Sequence, residues 1–152
     1  MLLISHGSVL CGADRILEEH AARLGSSVYP IVEIGFLNYS APSFEAAVAR
    51  CHEHGATQIV IVPYFLVAGK FVTADLPIRI GAARKQFPEL QFTVADALLD
   101  APELATAVLE MADRAVLLPQ AIRAARVPGS ECQLRPDCPL FNSMACPRSS
   151  AR

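Results

Sequence analysis

Between Gln58 and Leu66 the chain places Ile59, Val60, Ile61 and Val62 in succession, four β-branched residues with no polar residue among them. A strand with one wet face alternates apolar and polar side chains. An uninterrupted apolar run instead suits a strand covered on both faces, as in the interior of a parallel sheet. Such a strand needs layers above and below it, which directs the search toward alternating strands and helices. Residues 1–5, residues 31–37 and Leu90 to Ala95 are further strand candidates, and the Gln58 to Leu66 run is expected to be central.

Stretches of helical period lie between these runs. Ala13, Ile16, Leu17, Ala21 and Leu24 fall on one helical face, closed by Gly25. Pro42 suits the first turn of a helix striped by Phe44, Ala47, Val48 and Cys51, with Gly55 as its stop. After the central run comes a loop, Val67 to Thr73, and then a stripe of Leu76, Ile80, Ala83 and Phe87 that ends before Pro88. Asp100-Ala-Pro-Glu103 resembles a capping box, followed by Leu104, Val108, Met111 and Ala115 to about Leu118. The expectation is an α/β domain over residues 1–118, a three-layer, flavodoxin-like sandwich around a four-stranded parallel sheet. Residues 119–152, rich in Pro, Ser, Arg and Cys without apolar period, are expected to form a loosely ordered tail.

With 152 residues, of which 53% are apolar, the chain has enough material for one buried core. Its formal net charge of −2 gives no global reason to expect a nucleic-acid partner. Five arginines in 119–152 face only Glu131 and Asp137, so the tail is mildly basic and the body mildly acidic. Neither a basic, apolar leader nor a run of the roughly 20 apolar residues of a membrane span is visible. The expected location is the cytoplasm, and the five cysteines are read as thiols or metal ligands rather than disulfides.

In an open parallel sheet, ligands bind beyond the carboxyl ends of the strands. Three strand ends carry unusual residues. Ser5-His6-Gly7-Ser8 offers an imidazole able to bind a divalent metal or take a proton, with a hydrogen-bonded turn histidine as the plain alternative. Phe36-Leu37-Asn38-Tyr39 is the second place. The third runs from Pro63-Tyr64-Phe65 to Gly69-Lys70-Phe71, where Tyr64, Phe65 and Phe71 are either walls for a flat apolar ligand or core. His20, His52 and His54 fall on helices, and the last two are read as solvated surface. No G-x-G-x-x-G or P-loop supports a nucleotide site. Cys132, Cys138 and Cys146, at separations of six and eight, fit no compact zinc or cluster motif; a possible tail metal site is set against a tail with free thiols.

Taken jointly and in order, several segments resemble the CbiX/SirB family of sirohydrochlorin chelatases. They are Leu3 to Ser8, Val32 to Leu37 with Ala41-Pro42-Ser43-Phe44, Gly55-Ala56 leading into Ile59 to Leu66, and Gly69 through Asp75-Leu76-Pro77. The resemblance covers residues 2–116 and implies a chelatase-like fold that inserts a divalent metal (cobalt, iron or nickel) into a tetrapyrrole, sirohydrochlorin. The metal would be a substrate, with no permanent cofactor. A half-length chelatase implies a homodimer with two half-sites facing one cleft. His6 matches the family's first metal-binding histidine and becomes the expected catalytic and metal residue. Ser8, Asn38, Tyr64, Phe65, Gly69, Lys70 and Phe71 are expected to bind substrate. Phe71 stands where the family pattern has its second histidine, and Asn38 where many members have an acid. The alternative reading is a non-catalytic tetrapyrrole or metal carrier that kept the fold.

Overall fold

A computed structural model describes residues 1–8, 14–25, 29–98 and 101–115. Its order is β1 (Leu2–Ser5), α1 (Arg15–Leu24), β2 (Glu33–Phe36), α2 (Phe44–Glu53), β3 (Gln58–Pro63), a π-helical turn (Phe71–Asp75) continuous with α3 (Leu76–Gln86), β4 (Gln91–Val94) and α4 (Glu103–Asp113). The strands form one parallel sheet in the order β2-β1-β3-β4. The expected α/β architecture is present, with β3 as one of its two interior strands. Residues 119–152, including the three tail cysteines, lie outside the described residues, as do Ala13 and Asp100.

Two apolar clusters hold the layers. On one face, Ile4, Ile59, Ile61 and Phe92 of the sheet meet Phe44, Ala47, Val48 and Cys51 of α2 and Leu76, Ile80 and Ala83 of α3. Phe44 is wholly buried, and at about 25 cal/mol per Å² such a side chain contributes roughly 2–3 kcal/mol relative to an exposed one. Burial also pushes the Cys51 thiol up to about 11, with Glu33 adding to the rise, so Cys51 sits in this core as a neutral, unreactive thiol. The opposite face is thinner: Leu3, Leu17 and Phe36 form its buried centre, with Ala21, Val62 and Tyr64 packed around them.

Several local expectations need correction. Pro42 is not in the first turn of α2. Ser43 is the N-cap, its Oγ accepting from the Ala46 N–H at 3.2 Å, and the Ala41–Pro42 peptide is cis. β3 ends at Pro63 instead of reaching Leu66. In α1, Leu17 is buried whereas Ile16 and Leu24 are exposed. The α4 stripe is the largest departure, since none of its residues is buried. The cause is shared: α1 is the one described helix packed on its face of the sheet, so apolar stripes there lack a second surface. His52 and His54 are exposed as expected but lie within ion-pair distance of Glu89 (2.8 Å) and Glu33 (3.4 Å) at the amino end of the strands, far from His6.

At the carboxyl end the sheet continues past its strands. The N–H of Leu37 donates to the Ser5 carbonyl at 2.9 Å, that of Asn38 to the His6 carbonyl at 2.9 Å, and that of Tyr64 to the Ile4 carbonyl at 2.7 Å. Gly7 makes this possible. It adopts a positive φ of 86°, and a Cβ there would fall 1.9 Å from the Asn38 carbonyl oxygen. Within β2, Gly35 lets α2 approach, since a Cβ there would lie 3.0 Å from Ala47 Cβ and 2.9 Å from Ile4 Cδ1. Gly35→Val is therefore expected to cost about 1–3 kcal/mol through overpacking. Gly7→Ala should cost at least about 1–3 kcal/mol, because backbone strain adds to a clash that the Asn38 loop must relieve by moving. Urea denaturation measures both, and wild-type midpoints would show that neither approach is tight.

Candidate functional site

β1 projects His6 beyond its last residue, and the loops after β1 and β2 are stitched around it. The Ser8 N–H donates to Ser40 Oγ at 2.9 Å, and Ser40 Oγ–H donates back to the Ser8 carbonyl at 3.3 Å. Tyr39, between the two stitches, takes a positive φ of 60° and leaves its side chain 72% exposed. Its ring centroid is 5.3 Å from that of His6. On the other side Phe71, the first residue of the π-helical turn, meets His6 edge-on, with centroids 4.3 Å apart at 65°.

The His6 imidazole is thus fixed between two aromatic rings at the mouth of the sheet. Its Nδ1 lies 3.2 Å from the Gly7 carbonyl oxygen. With the proton on Nδ1, Nε2 keeps a lone pair for a metal or a proton. Among the described residues, no group of three or more His, Cys, Asp or Glu comes together.

Beside this mouth lies a depression of about 370 Å³ lined by Leu37, Asn38, Glu45, Asp75 and Arg79 among others. Arg79 reaches across it. Its Nη1 meets Glu45 Oε1 at 2.6 Å and its Nη2 donates to the Leu37 carbonyl at 2.8 Å. Burial alone would raise the Glu45 carboxyl, but hydrogen bonds from its own backbone N–H and from Arg79 outweigh this and hold it below its usual value. Arg79 thereby ties the end of β2 to both α2 and α3. Asp75 makes no ion pair among the described residues.

The residues singled out in the sequence divide into groups. His6, Ser8, Asn38 and Phe71 gather at one edge. Phe65 packs with Phe71 against the large core, whereas Tyr64 turns to the other face of the sheet, where its ring lies 5.7 Å from that of His20. Gly69 ends an exposed loop and Lys70, also exposed, is the N-cap of the helical turn, which starts where the Gly69 carbonyl accepts from the Val72 and Thr73 N–H groups at 3.0 Å. Arg79 was missed, and Tyr39, named within the second strand-end segment, was given no role of its own. Tyr39 follows the expected strand-end Asn38 directly and so carried a positional signal, whereas nothing local marked Arg79.

The family model described as CbiX matches residues 1–115. A sirohydrochlorin cobaltochelatase of Methanocaldococcus jannaschii is 37% identical over 82 residues, 53% of this chain and 57% of that protein. One of Saccharolobus solfataricus is 30% identical over 104 residues, 64% of this chain and 80% of that protein. Among solved structures, the sirohydrochlorin chelatase SirB of Bacillus subtilis subspecies spizizenii, in complex with cobalt, aligns with a TM-score of 0.69 and 26% identity. That alignment covers 82% of this chain and 57% of SirB. The chain spans about half the length of several of the curated relatives it matches. Because the family match starts at the first residue and runs through every described element, the domain as a whole, and not one shared motif, places this chain in the CbiX family.

Proposed function

We propose that this chain inserts a divalent metal, cobalt, iron or nickel, into sirohydrochlorin, with residues 1–118 as its chelatase-like domain. The observation that carries the reading is the His6 imidazole, held at a strand end between Tyr39 and Phe71 in a domain whose relatives bear that activity in their names. The metal is a substrate here, and the reading calls for no permanent cofactor. His6 Nε2 takes the cation, since imidazole suits borderline divalent metals. The faces of Tyr39 and Phe71 offer flat apolar walls to the macrocycle, and Ser8, Asn38 and Lys70 supply polar groups at its rim. Gly69 keeps the loop free of a side chain.

Ring metallation also requires pyrrole protons to leave. Asn38 is an amide and cannot accept them. Of the two carboxylates lining the adjacent depression, Glu45 is committed to Arg79, so Asp75 is assigned as the base. One imidazole holds an aqueous cation weakly. The reading therefore pairs two copies, so that a second half-site faces the first across one cleft, and it carries with it a cytoplasmic location. No described helix is long and apolar enough to cross a membrane.

A second reading, a carrier that binds tetrapyrrole or metal without turnover, is favoured by one observation: the Phe71 ring fills the space beside His6 where another ligand would stand. Titration calorimetry with Co²⁺ and an anaerobic absorbance assay with sirohydrochlorin separate the two. His6→Ala should lower the insertion rate at least about tenfold, equivalent to 1.4 kcal/mol. Phe71→His should tighten Co²⁺ by about tenfold or more, since a second imidazole adds a ligand without changing net charge. Insertion at the uncatalysed rate by both wild type and Phe71→His, with the macrocycle still bound, would replace the chelatase with the carrier. An unchanged rate in His6→Ala would remove His6 from the site.

A further inference from the structure

His6 takes its place from a backbone that continues β1 beyond Ser5, and one peptide unit after β2 holds that backbone. The carbonyl of Leu37 and the N–H of Asn38 belong to the same planar, trans amide, so they point in opposite directions. The Asn38 N–H donates to the His6 carbonyl at 2.9 Å, and the Leu37 carbonyl accepts from Arg79 Nη2 at 2.8 Å. Arg79 therefore stands one peptide away from His6, although it belongs to α3. Hydrogen bonds joined in series through an amide polarise one another, so loss of the Arg79 bond also weakens the bond from Asn38 to His6.

A second contact seats the guanidinium. Nη1 meets Glu45 Oε1 at 2.6 Å, and the Arg79 side chain is only 31% exposed. Held at both nitrogens, the planar fork has one setting. Released from it, the loop after β2 has a reason to move, because Tyr39 keeps a φ of 60°, which is strained for a residue with a side chain.

We propose that Arg79 is a positioning residue for the metal-binding imidazole: through the Leu37–Asn38 peptide it fixes the backbone of His6, and so the setting of the His6 ring against Phe71. Its guanidinium touches neither the metal nor the macrocycle. The proposal rests on the chelatase reading in taking His6 as the group that receives the metal. α3 supplies an internal comparison. Arg84 Nη2 donates to the Phe92 carbonyl of β4 at 3.4 Å, the same kind of helix-to-strand bond at a strand that does not carry His6. If these arginines merely fastened α3 to the sheet, the two would be equivalent. Of the two, Arg79 alone ends on the peptide that binds His6.

Arg79→Met, Glu45→Ala and Arg84→Met in the full chain test this, with far-UV circular dichroism and urea midpoints as controls for folding. Three quantities are read: nuclear Overhauser contacts between the His6 and Phe71 rings in the metal-free chain, Co²⁺ affinity by titration calorimetry, and kcat and KM for sirohydrochlorin. Folded Arg79→Met should lose most of the ring contact and bind Co²⁺ about tenfold more weakly, because a ligand out of place binds poorly. Its kcat should fall about tenfold while KM changes less than about threefold, since the macrocycle is still held. Glu45→Ala should move the same quantities in the same direction by about threefold, as suits a partly exposed ion pair. Arg84→Met should match wild type. Wild-type ring contacts and Co²⁺ affinity in folded Arg79→Met overturn the proposal, and an equal loss in Arg84→Met does so too. A KM raised at least about tenfold with kcat unchanged would make Arg79 a group for substrate carboxylates, and would also overturn it. Should Arg79→Met not fold, Glu45→Ala carries the test, and wild-type behaviour there overturns the proposal. The ring contact is read without metal or macrocycle, so a wild type without turnover removes the chelatase reading and leaves this test standing.

Discussion

At Gly7 the backbone of β1 comes so close to the Asn38 carbonyl that no side chain fits between them. This approach lets the parallel pairing of β1 with β2 run on to His6 and Asn38, after the strands have ended. A histidine on a free loop would lose its orientation to chain entropy, about 1–2 kcal/mol per residue fixed. Here the hydrogen bonds of the sheet and the paired contacts of Ser8 with Ser40 supply that order. The position of Tyr39 over the imidazole, with its left-handed backbone, follows from the same closure. The site is therefore an extension of the sheet and inherits the rigidity of the core beneath it.

Phe71 links that core to the chemistry. It packs with Phe65 against the cluster between the sheet and α3, and it presents its edge to His6. An aromatic ring in this place holds the imidazole still and offers an apolar wall, but it gives no lone pair to a metal. On the proposed reading, the described residues of one chain thus offer one nitrogen ligand in His6, one candidate base in Asp75 and half of an apolar cleft. On that reading, a second copy supplies what is lacking in each respect.

Much of the fold was legible because it rests on local pattern. The Ile-Val-Ile-Val run, the stripes Phe44-Ala47-Val48-Cys51 and Leu76-Ile80-Ala83, and Gly55 after α2 each encode burial or chain reversal within a few residues. The departures come from tertiary context. An apolar stripe states that a helix prefers cover, not that the chain can provide it, and so α4 read as buried while lying exposed. Pro42 is compatible with a first helical turn, but Ser43 behind it accepts an N–H and takes the cap. At the site, His6 and Phe71 were legible through strand-end position and family resemblance. The opposite headings of Tyr64 and Phe65 follow from the twofold alternation of a strand, which a reading of both as cleft walls had set aside. Arg79 was not legible, because its partners Glu45 and Leu37 are 34 and 42 residues away.

The central claim is that His6, and not a thiolate, receives the metal. X-ray absorption at the cobalt edge on the full chain loaded with one equivalent of Co²⁺ addresses it directly, because nitrogen and sulfur neighbours lie at different distances, about 2.0–2.1 Å and about 2.3 Å for the comparable zinc sites. The account predicts a first shell of nitrogen and oxygen alone, with imidazole outer-shell scattering that disappears in His6→Ala. A sulfur shell that persists in His6→Ala and is lost when Cys132, Cys138 and Cys146 are replaced by serine would contradict it.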